Sequence, residues 1–354
     1  MNSVAAPEAA LAAGRWVKLI CGAGNQDLAA IEDLCAVYSL AGVHCIDVAA
    51  DAAVAAAARR GIDWAEQRGA ARPWLMVSLS DGADPHFRKA SFDPQRCPAD
   101  CPRPCQRVCP ALAIGTSGGV ISERCYGCGR CLTACPLGLI EERQVLLSAT
   151  AVPQLLEAVH PDAVELHTQA GRQPAFAERL RQVQASRVPL KRLAVSCGLE
   201  RGSQARATRP DQQGGSSGHP QPLSARELAT ELWQRYSVVR AAGFRPIWQL
   251  DGRPMSGDVG AGTARSAVAL LEAIRPWAPP GPLQLAGGTN ASTAGLLRPD
   301  SGAAGVAFGG MARNLLQPLL QSAEARGLAL RHCPDLLVQA LSSAEALLAP
   351  WRTR

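Results

Sequence analysis

Eight short apolar runs, most of them followed by a stretch of helical periodicity, set the tightest limit on how this chain folds. They are WVKLIC (16–21), VHCIDVA (43–49), WLMVSL (74–79), AVELHT (163–168), LKRLAVS (190–196), PIWQLD (246–251), PLQLAG (282–287) and AAGVAFG (303–309). The helical stretches include Leu28 to Leu40, ended by Gly42, and Ala52 to Arg60, ended by Gly61. A long one follows Ser224 as N-cap and stops at Gly243, and the last helices start near Asn314. Strand–helix alternation calls for parallel strands joined by helical crossovers. Eight repeats suggest a TIM-barrel-like (β/α)8 domain over residues 15–92 and 142–354, with an open α/β sheet as the alternative.

After the third run the alternation breaks. Residues 93–141 hold eight of the 13 cysteines. Cys125, Cys128, Cys131 and Cys135, followed by Pro136, have the C-x2-C-x2-C-x3-C-P spacing of a bacterial ferredoxin. Cys97, Cys101, Cys105 and Cys109, followed by Pro110, form a looser C-x3-C-x3-C-x3-C-P run. Three closely spaced thiolates on a tight loop reach three irons of a cubane, and the fourth must come from elsewhere. In two-cluster ferredoxins the Cys before Pro serves the other cluster. One cluster (4Fe-4S) would then take Cys125, Cys128, Cys131 and Cys109. The other would take Cys97, Cys101, Cys105 and Cys135, and its wider spacing leaves four or three irons open. Gly127 and Gly129 suit a loop whose N–H groups face cluster sulfurs. Zinc sites usually have two cysteine pairs with longer spacers, and disulfide frameworks belong to small secreted chains. On the barrel reading this ferredoxin-like insert lies at the C-terminal face, where barrels build their sites.

Length and composition fit a globular chain able to bury a large core, at 354 residues, 47% apolar and 19% charged. No apolar run reaches the length of a membrane span. Residues 1–14 are Ala-rich without a basic leader and read as a disordered arm. The cysteine content implies a reducing cytoplasm. The net charge of +6 comes from scattered Arg, with Lys only at 18, 89 and 191. Without a basic stripe or interleaved aromatics, nucleic-acid binding is not expected. Residues 200–222, rich in Gly, Ser, Gln and Pro, read as a flexible loop.

Glycine pairs follow the last two strands, in AGGTN (286–290) and AFGGMAR (307–313). Barrels often bind phosphate there, so Gly287, Gly288, Gly309, Gly310 and Arg313 are candidates for a phosphate or flavin site. GAGNQD after strand one lacks the third glycine of a dinucleotide fingerprint. The two G-x-S-x-G matches, at 115–119 and 214–218, do not lie between a strand and a helix. Asp47, Glu165, His167, Cys197, Asp251 and Arg253 sit at strand ends. Asp251-Gly252-Arg253-Pro254 reads foremost as turn chemistry, and His167 as a satisfied, partly buried histidine rather than a ligand. Cys21, Cys35 and Cys45 read as core residues. Cys197 ends a strand, with a redox-active thiol as the lesser alternative. None of these forms a catalytic constellation on sequence grounds.

Several stretches together resemble the cyanobacterial light-dependent-period (LdpA) iron–sulfur family. They are VKLICGAGNQDLAAIEDLCAVYSLAGVHCIDVAAD, PWLMVSLSDGADPHFRKASFDP, the double cysteine motif and IWQLDGRPMSGDVGAGTARSAV. The resemblance implies a redox sensor that passes photosynthetic redox state to the circadian clock, with the eight motif cysteines as ligands. It also implies clock input and oscillator proteins as partners; a quinone or other electron carrier is a further candidate. The runner-up is an iron–sulfur oxidoreductase feeding electrons to a flavin or substrate in the barrel mouth.

Overall fold

The structure is a computed structural model describing residues 6–115, 119–200, 222–253, 260 and 262–354. The chain opens with α1 (Pro7–Ala12), β1 (Trp16–Gly22), α2 (Leu28–Ala41), β2 (Cys45–Ala49), α3 (Ala52–Glu66) and β3 (Trp74–Ser80). An excursion carries β4 (Arg88–Ser91), α4 (Pro104–Arg107), α5 (Arg130–Ala134) and β5 (Glu141–Gln144). The alternation resumes with α6 (Ala151–Val159), β6 (Ala163–His167), α7 (Gln173–Ala185), β7 (Arg192–Gly198), α8 (Ala225–Ala241), β8 (Pro246–Asp251), α9 (Ala264–Ile274) and β9 (Leu283–Ala286). It ends with α10 (Thr293–Leu296), β10 (Ala303–Phe308), α11 (Gly310–Ala325) and α12 (Pro334–Arg352).

The sheet closes. Its strands run β1-β10-β9-β8-β7-β6-β3-β2, all paired parallel, so the TIM-barrel-like architecture holds and the open sheet does not. Side chains alternate across the strands as the pleat requires. In β1, Val17, Leu19 and Cys21 join the apolar layer packed under the helices, while Trp16 and Lys18 point inward. Three helix starts are fixed by side-chain caps. Asp27 accepts from Ala30, Asp51 from Ala53 and Val54, and Ser224 with Glu227 forms a capping box.

Three expectations need correction. The N-terminal arm is not disordered over its described part. Leu11 of α1 packs with Trp16, Cys45, Trp74 and Met76 and plugs the lower end of the barrel, and Glu8 pairs with Arg192 and Arg245. The Ala-rich composition hid one apolar plug and two ion pairs. Gly61 does not stop α3, which runs on to Glu66, because it is the point where α3 meets α2. A Cβ there would lie 2.2 Å from the Glu32 carbonyl. The excursion from the barrel is also wider than 93–141, because β4 and β5 pair as an antiparallel ribbon from Arg88 to Gln144. Of the expected flexible loop at 200–222, residues 201–221 lie outside the described residues. The Leu223 N–H donates to the Leu199 carbonyl at 2.8 Å, which brings the flanks together. The 214–218 match and most of the 115–119 match also lie outside.

If α1 is a plug, Leu11→Ala should cost about 2–4 kcal/mol, the range for truncating a buried leucine. Chemical denaturation of the two proteins measures this; a change within about 0.5 kcal/mol, as for a surface site, would restore the arm.

Candidate functional site

The insert is built twice over. Cys105 and Cys131 lie in short helices, α4 and α5, whose N-caps Arg103 and Gly129 both have positive φ (48° and 79°). Four residues on come Cys109-Pro110 and Cys135-Pro136. Three residues after each cysteine, Leu112 and Gly138 again have positive φ (51° and 62°). Ile114 and Ile140 follow, and Cys105, Ile114, Cys131 and Ile140 form the insert's small buried cluster. The two motifs are therefore related units with their helices packed together, despite their different spacing.

The thiols fall into two groups. Cys109, Cys125, Cys128 and Cys131 line one pocket with about 410 Å³ of atom-free space. Burial and the neighbouring Cys128, Cys125 and Cys109 thiols push Cys131 up to about 12. Burial also raises Cys128, with Cys109 and Cys125 adding to the effect. In the other group, Cys101 and Cys105 neighbour Cys97, and Cys135 and Cys101 neighbour Cys105. Each cysteine that precedes a proline thus sits with the opposite motif. Four thiols gathered in a part-buried site resist ionisation together, and a bound cation relieves that cost. Backbone donors also face the sulfurs. The Ala113 N–H donates to Cys109 Sγ at 3.2 Å and the Ala90 N–H to Cys125 Sγ at 3.3 Å. Burial would raise Cys135, but the N–H groups of residues 137–140 outweigh it and hold the thiol down. This donor set fits iron–sulfur ligation.

The insert is clamped over the barrel mouth. Lys89 donates to Gln26 Oε1 at 2.6 Å and to the Ser122 carbonyl, Arg124 pairs with Asp27 at 3.3 Å, and Arg88 Nε donates to the Gly127 carbonyl at 2.8 Å. Gly127 (φ 76°) is pressed against Arg88, whose carbonyl would lie 2.3 Å from an added Cβ. Tyr126, between two cysteines of the second motif, has the Arg313 guanidinium 4.2 Å from its ring centre.

Tyr126 and Arg313 both line a cavity in the barrel mouth that opens to solvent, together with Gly287, Gly288, Gly309 and Gly310. All five residues expected for a phosphate site are thus brought to one cavity. Below it lies a chain of buried polar groups. Trp16 Nε1 donates to Gln284 Oε1 (2.7 Å), Gln284 Nε2 to Gln249 Oε1 (2.6 Å), and Gln249 Nε2 to Glu165 Oε1 (2.7 Å). Glu165 pairs with Lys18, which reaches Asp47 at 3.4 Å, and Ser78 donates to Asp47 at 2.7 Å. His167 Nε2 lies 2.9 Å from Glu165 Oε1, and Ser196 donates to Asp251. Burial alone would lower Lys18, but Glu165 and Asp47 outweigh it and raise it. Burial pushes Asp47 up to about 6. Burial would likewise lower His167, yet Glu165, Asp84 and Asp251 bring it up to about 9.

Sequence reasoning therefore missed a constellation. Asp251 is not chiefly a turn residue but the half-buried last residue of β8, and Asp251 and Arg253 both line the cavity. His167 lines it too. Lys18 drew no notice inside an apolar run. Its signal was the period of two: positions 16, 18 and 20 of β1, 45 and 47 of β2, and 165 and 167 of β6 share the interior. At Cys197 the lesser alternative, a redox-active thiol, finds no support. It is buried, its thiol pushed up to about 12 by burial, which suits a core residue. Cys21, Cys35 and Cys45 are buried core residues as expected.

Comparison with known proteins bears on both parts. The family model described as the LdpA Fe-S cluster-binding domain matches residues 97–146, so this segment is an iron–sulfur-binding one. The Light dependent period A C-terminal domain matches residues 155–350. "Light dependent period A" of Synechococcus elongatus is 45% identical over 358 residues, spanning 98% of this chain and 94% of that one. Among solved structures, (S)-3-O-geranylgeranylglyceryl phosphate synthase from Thermoplasma acidophilum aligns at 10% identity over the whole of both chains, with a TM-score of 0.41. A type I 3-dehydroquinate dehydratase from Clostridium difficile aligns at 8% identity over 93% of this chain and 92% of that one, with a TM-score of 0.36. Likeness at that level carries no argument, and the barrel rests on its own strand pairing. No helix among the described residues is long and apolar enough to cross a membrane.

The His167 shift has a definite sign. Its folded value is raised to about 9 from 6.5, so the stabilisation is full below pH 6.5 and is lost as pH rises through 9. The effect is on the order of 3 kcal/mol. Thermal melts across that window should show a falling apparent Tm that flattens in His167→Gln; an equal slope in the variant would assign the loss elsewhere.

Proposed function

The chain belongs to the light dependent period A family, and from that premise we propose that it is a two-cluster iron–sulfur redox sensor that reports cellular redox state to the circadian clock. The observation that carries the reading is the partition of eight cysteines into two mixed sets of four. Cys125, Cys128, Cys131 and Cys109 would hold a 4Fe-4S cluster. Cys97, Cys101, Cys105 and Cys135 would hold the other, of four or three irons. Such clusters take up and release single electrons at potentials tuned by charge, hydrogen bonds and exposure.

The chain's own residues supply that tuning and a route outward. The N–H groups aimed at Cys109, Cys125 and Cys135 stabilise negative charge on sulfur, which favours the reduced state. Cys109 also lines a surface groove with Arg107 and Arg130, a place for a quinone or an acidic electron carrier to approach. The clamps at Lys89, Arg124 and Arg88 tie the insert to the barrel rim. A change in ligation would loosen this face, and clock input or oscillator proteins would read the difference. The reducing cytoplasm is the compartment in which eight thiolates persist.

The crossed partition makes a test by substitution. Cys109→Ser should disturb the cluster held by Cys125, Cys128 and Cys131, and Cys135→Ser the one held by Cys97, Cys101 and Cys105. EPR of the reduced variants, each compared with Cys128→Ser and Cys101→Ser, separates the outcomes. If Cys109→Ser resembled Cys101→Ser instead, each motif would ligate its own cluster.

A further inference from the structure

The cavity under the insert is not used by the redox reading, and its walls are chemically unequal. On the β9–β10 side lie the Gly287–Gly288 turn, the start of α11 at Gly310, and Arg313 one turn into that helix. Gly287 and Gly288 have φ of 62° and 89°, which lets the turn expose backbone instead of side chains. Thr263 Oγ1 donates to the Gly288 carbonyl at 2.6 Å, which fixes the turn. Across the mouth, on the β3, β6 and β8 side, stand Ser78, His167, Gln249 and Asp251.

Arg313 is the telling residue. It is 92% buried, being only 8% exposed. Its Nη1 donates to the Ile20 carbonyl at 2.8 Å and its face rests on Tyr126. Among the described residues its Nε has no hydrogen-bond partner and no carboxylate pairs with the guanidinium. A buried cation without a counter-charge and a buried Nε–H without an acceptor are costly, and a cation placed at a helix N-terminus gains nothing from the helix dipole. An anion in the cavity beside the guanidinium supplies the missing counter-charge.

We propose that the barrel mouth binds a small polar phosphomonoester, its phosphate held by the N-terminal N–H groups of α11, the Gly287–Gly288 turn and Arg313. Donors on three sides suit a tetrahedral dianion with three free oxygens better than a planar carboxylate. The far wall, rich in hydroxyl, imidazole, amide and carboxyl groups, suits a hydroxylated or carbonyl-bearing remainder. Tyr126 joins this site to the cluster segment, so an occupied mouth would fix the loop that carries Cys125 and Cys128. The inference stands apart from the redox reading, because binding is measurable whatever the iron content.

The test is calorimetry on the full chain prepared anaerobically with its clusters, using glycerol 3-phosphate, inorganic phosphate, glycerol and flavin mononucleotide as probes. Saturable binding of glycerol 3-phosphate, tighter than inorganic phosphate and absent for glycerol, is expected. Tight binding of flavin mononucleotide alone would keep the phosphate site but make a flavin its source. Arg313→Lys, which keeps the charge and loses the Nε donor, should weaken phosphate-ester binding at least tenfold, with its unliganded Tm reporting the fold. No binding of any phosphate probe at millimolar concentration, or undiminished binding in the variant, would overturn the proposal.

Discussion

The insert has a small hydrophobic core. Among the described residues its buried cluster is four side chains, Cys105, Ile114, Cys131 and Ile140, two of them cysteines, with Ala90, Phe92, Val120 and Leu132 half-buried against it. A segment of about sixty residues gains little stability from so small an apolar surface, and small units of this kind are usually stapled by metals or disulfides. On the proposed reading, thiolate–iron bonds are the constraint on which this segment depends. They would fix the twinned helix-and-turn units, and through Tyr126, Arg88, Lys89 and Arg124 they would fix what covers the barrel mouth. Cluster state and barrel access would then be one mechanical problem.

The barrel solves a different problem. Its interior carries Lys18, Asp47, Glu165, Gln249 and Gln284 where many barrels stack aliphatic layers. Each charge there is expensive alone and tolerable only because the chain of hydrogen bonds is continuous from Trp16 to Ser78. Removing one partner would leave another buried and uncompensated, so this belt behaves as a single unit. It forms a rigid, polar floor to the cavity, with His167 as its charged upper edge.

Much of this was legible in the sequence. Eight rounds of strand–helix alternation pointed to the barrel and left an open sheet as the alternative, which only the closed strand pairing removes, and the ferredoxin spacing pointed to the chemistry of the insert. The glycine pairs after β9 and β10 were found because their place in the fold was known once the strands were counted. What could not be read was what depends on register and on contacts far apart in the chain. Lys18 meets Glu165 only because β1, β2, β3 and β6 close with a particular stagger. Leu11 looked like one more residue of an Ala-rich tail until the barrel supplied a hole for it. The twinned structure of the insert was hidden because equivalent positions, Arg103 and Gly129, or Leu112 and Gly138, share a backbone conformation and not a residue type.

The most direct test of the account is a count of iron and acid-labile sulfide per chain after anaerobic purification, together with EPR of the oxidised and reduced protein. Two clusters held by interleaved ligands predict seven or eight irons and reduced spectra broadened by interaction between two nearby centres. Seven irons with a signal in the oxidised state would place the three-iron site at the first motif. Zinc in place of iron, or four irons with one isolated signal, would contradict it.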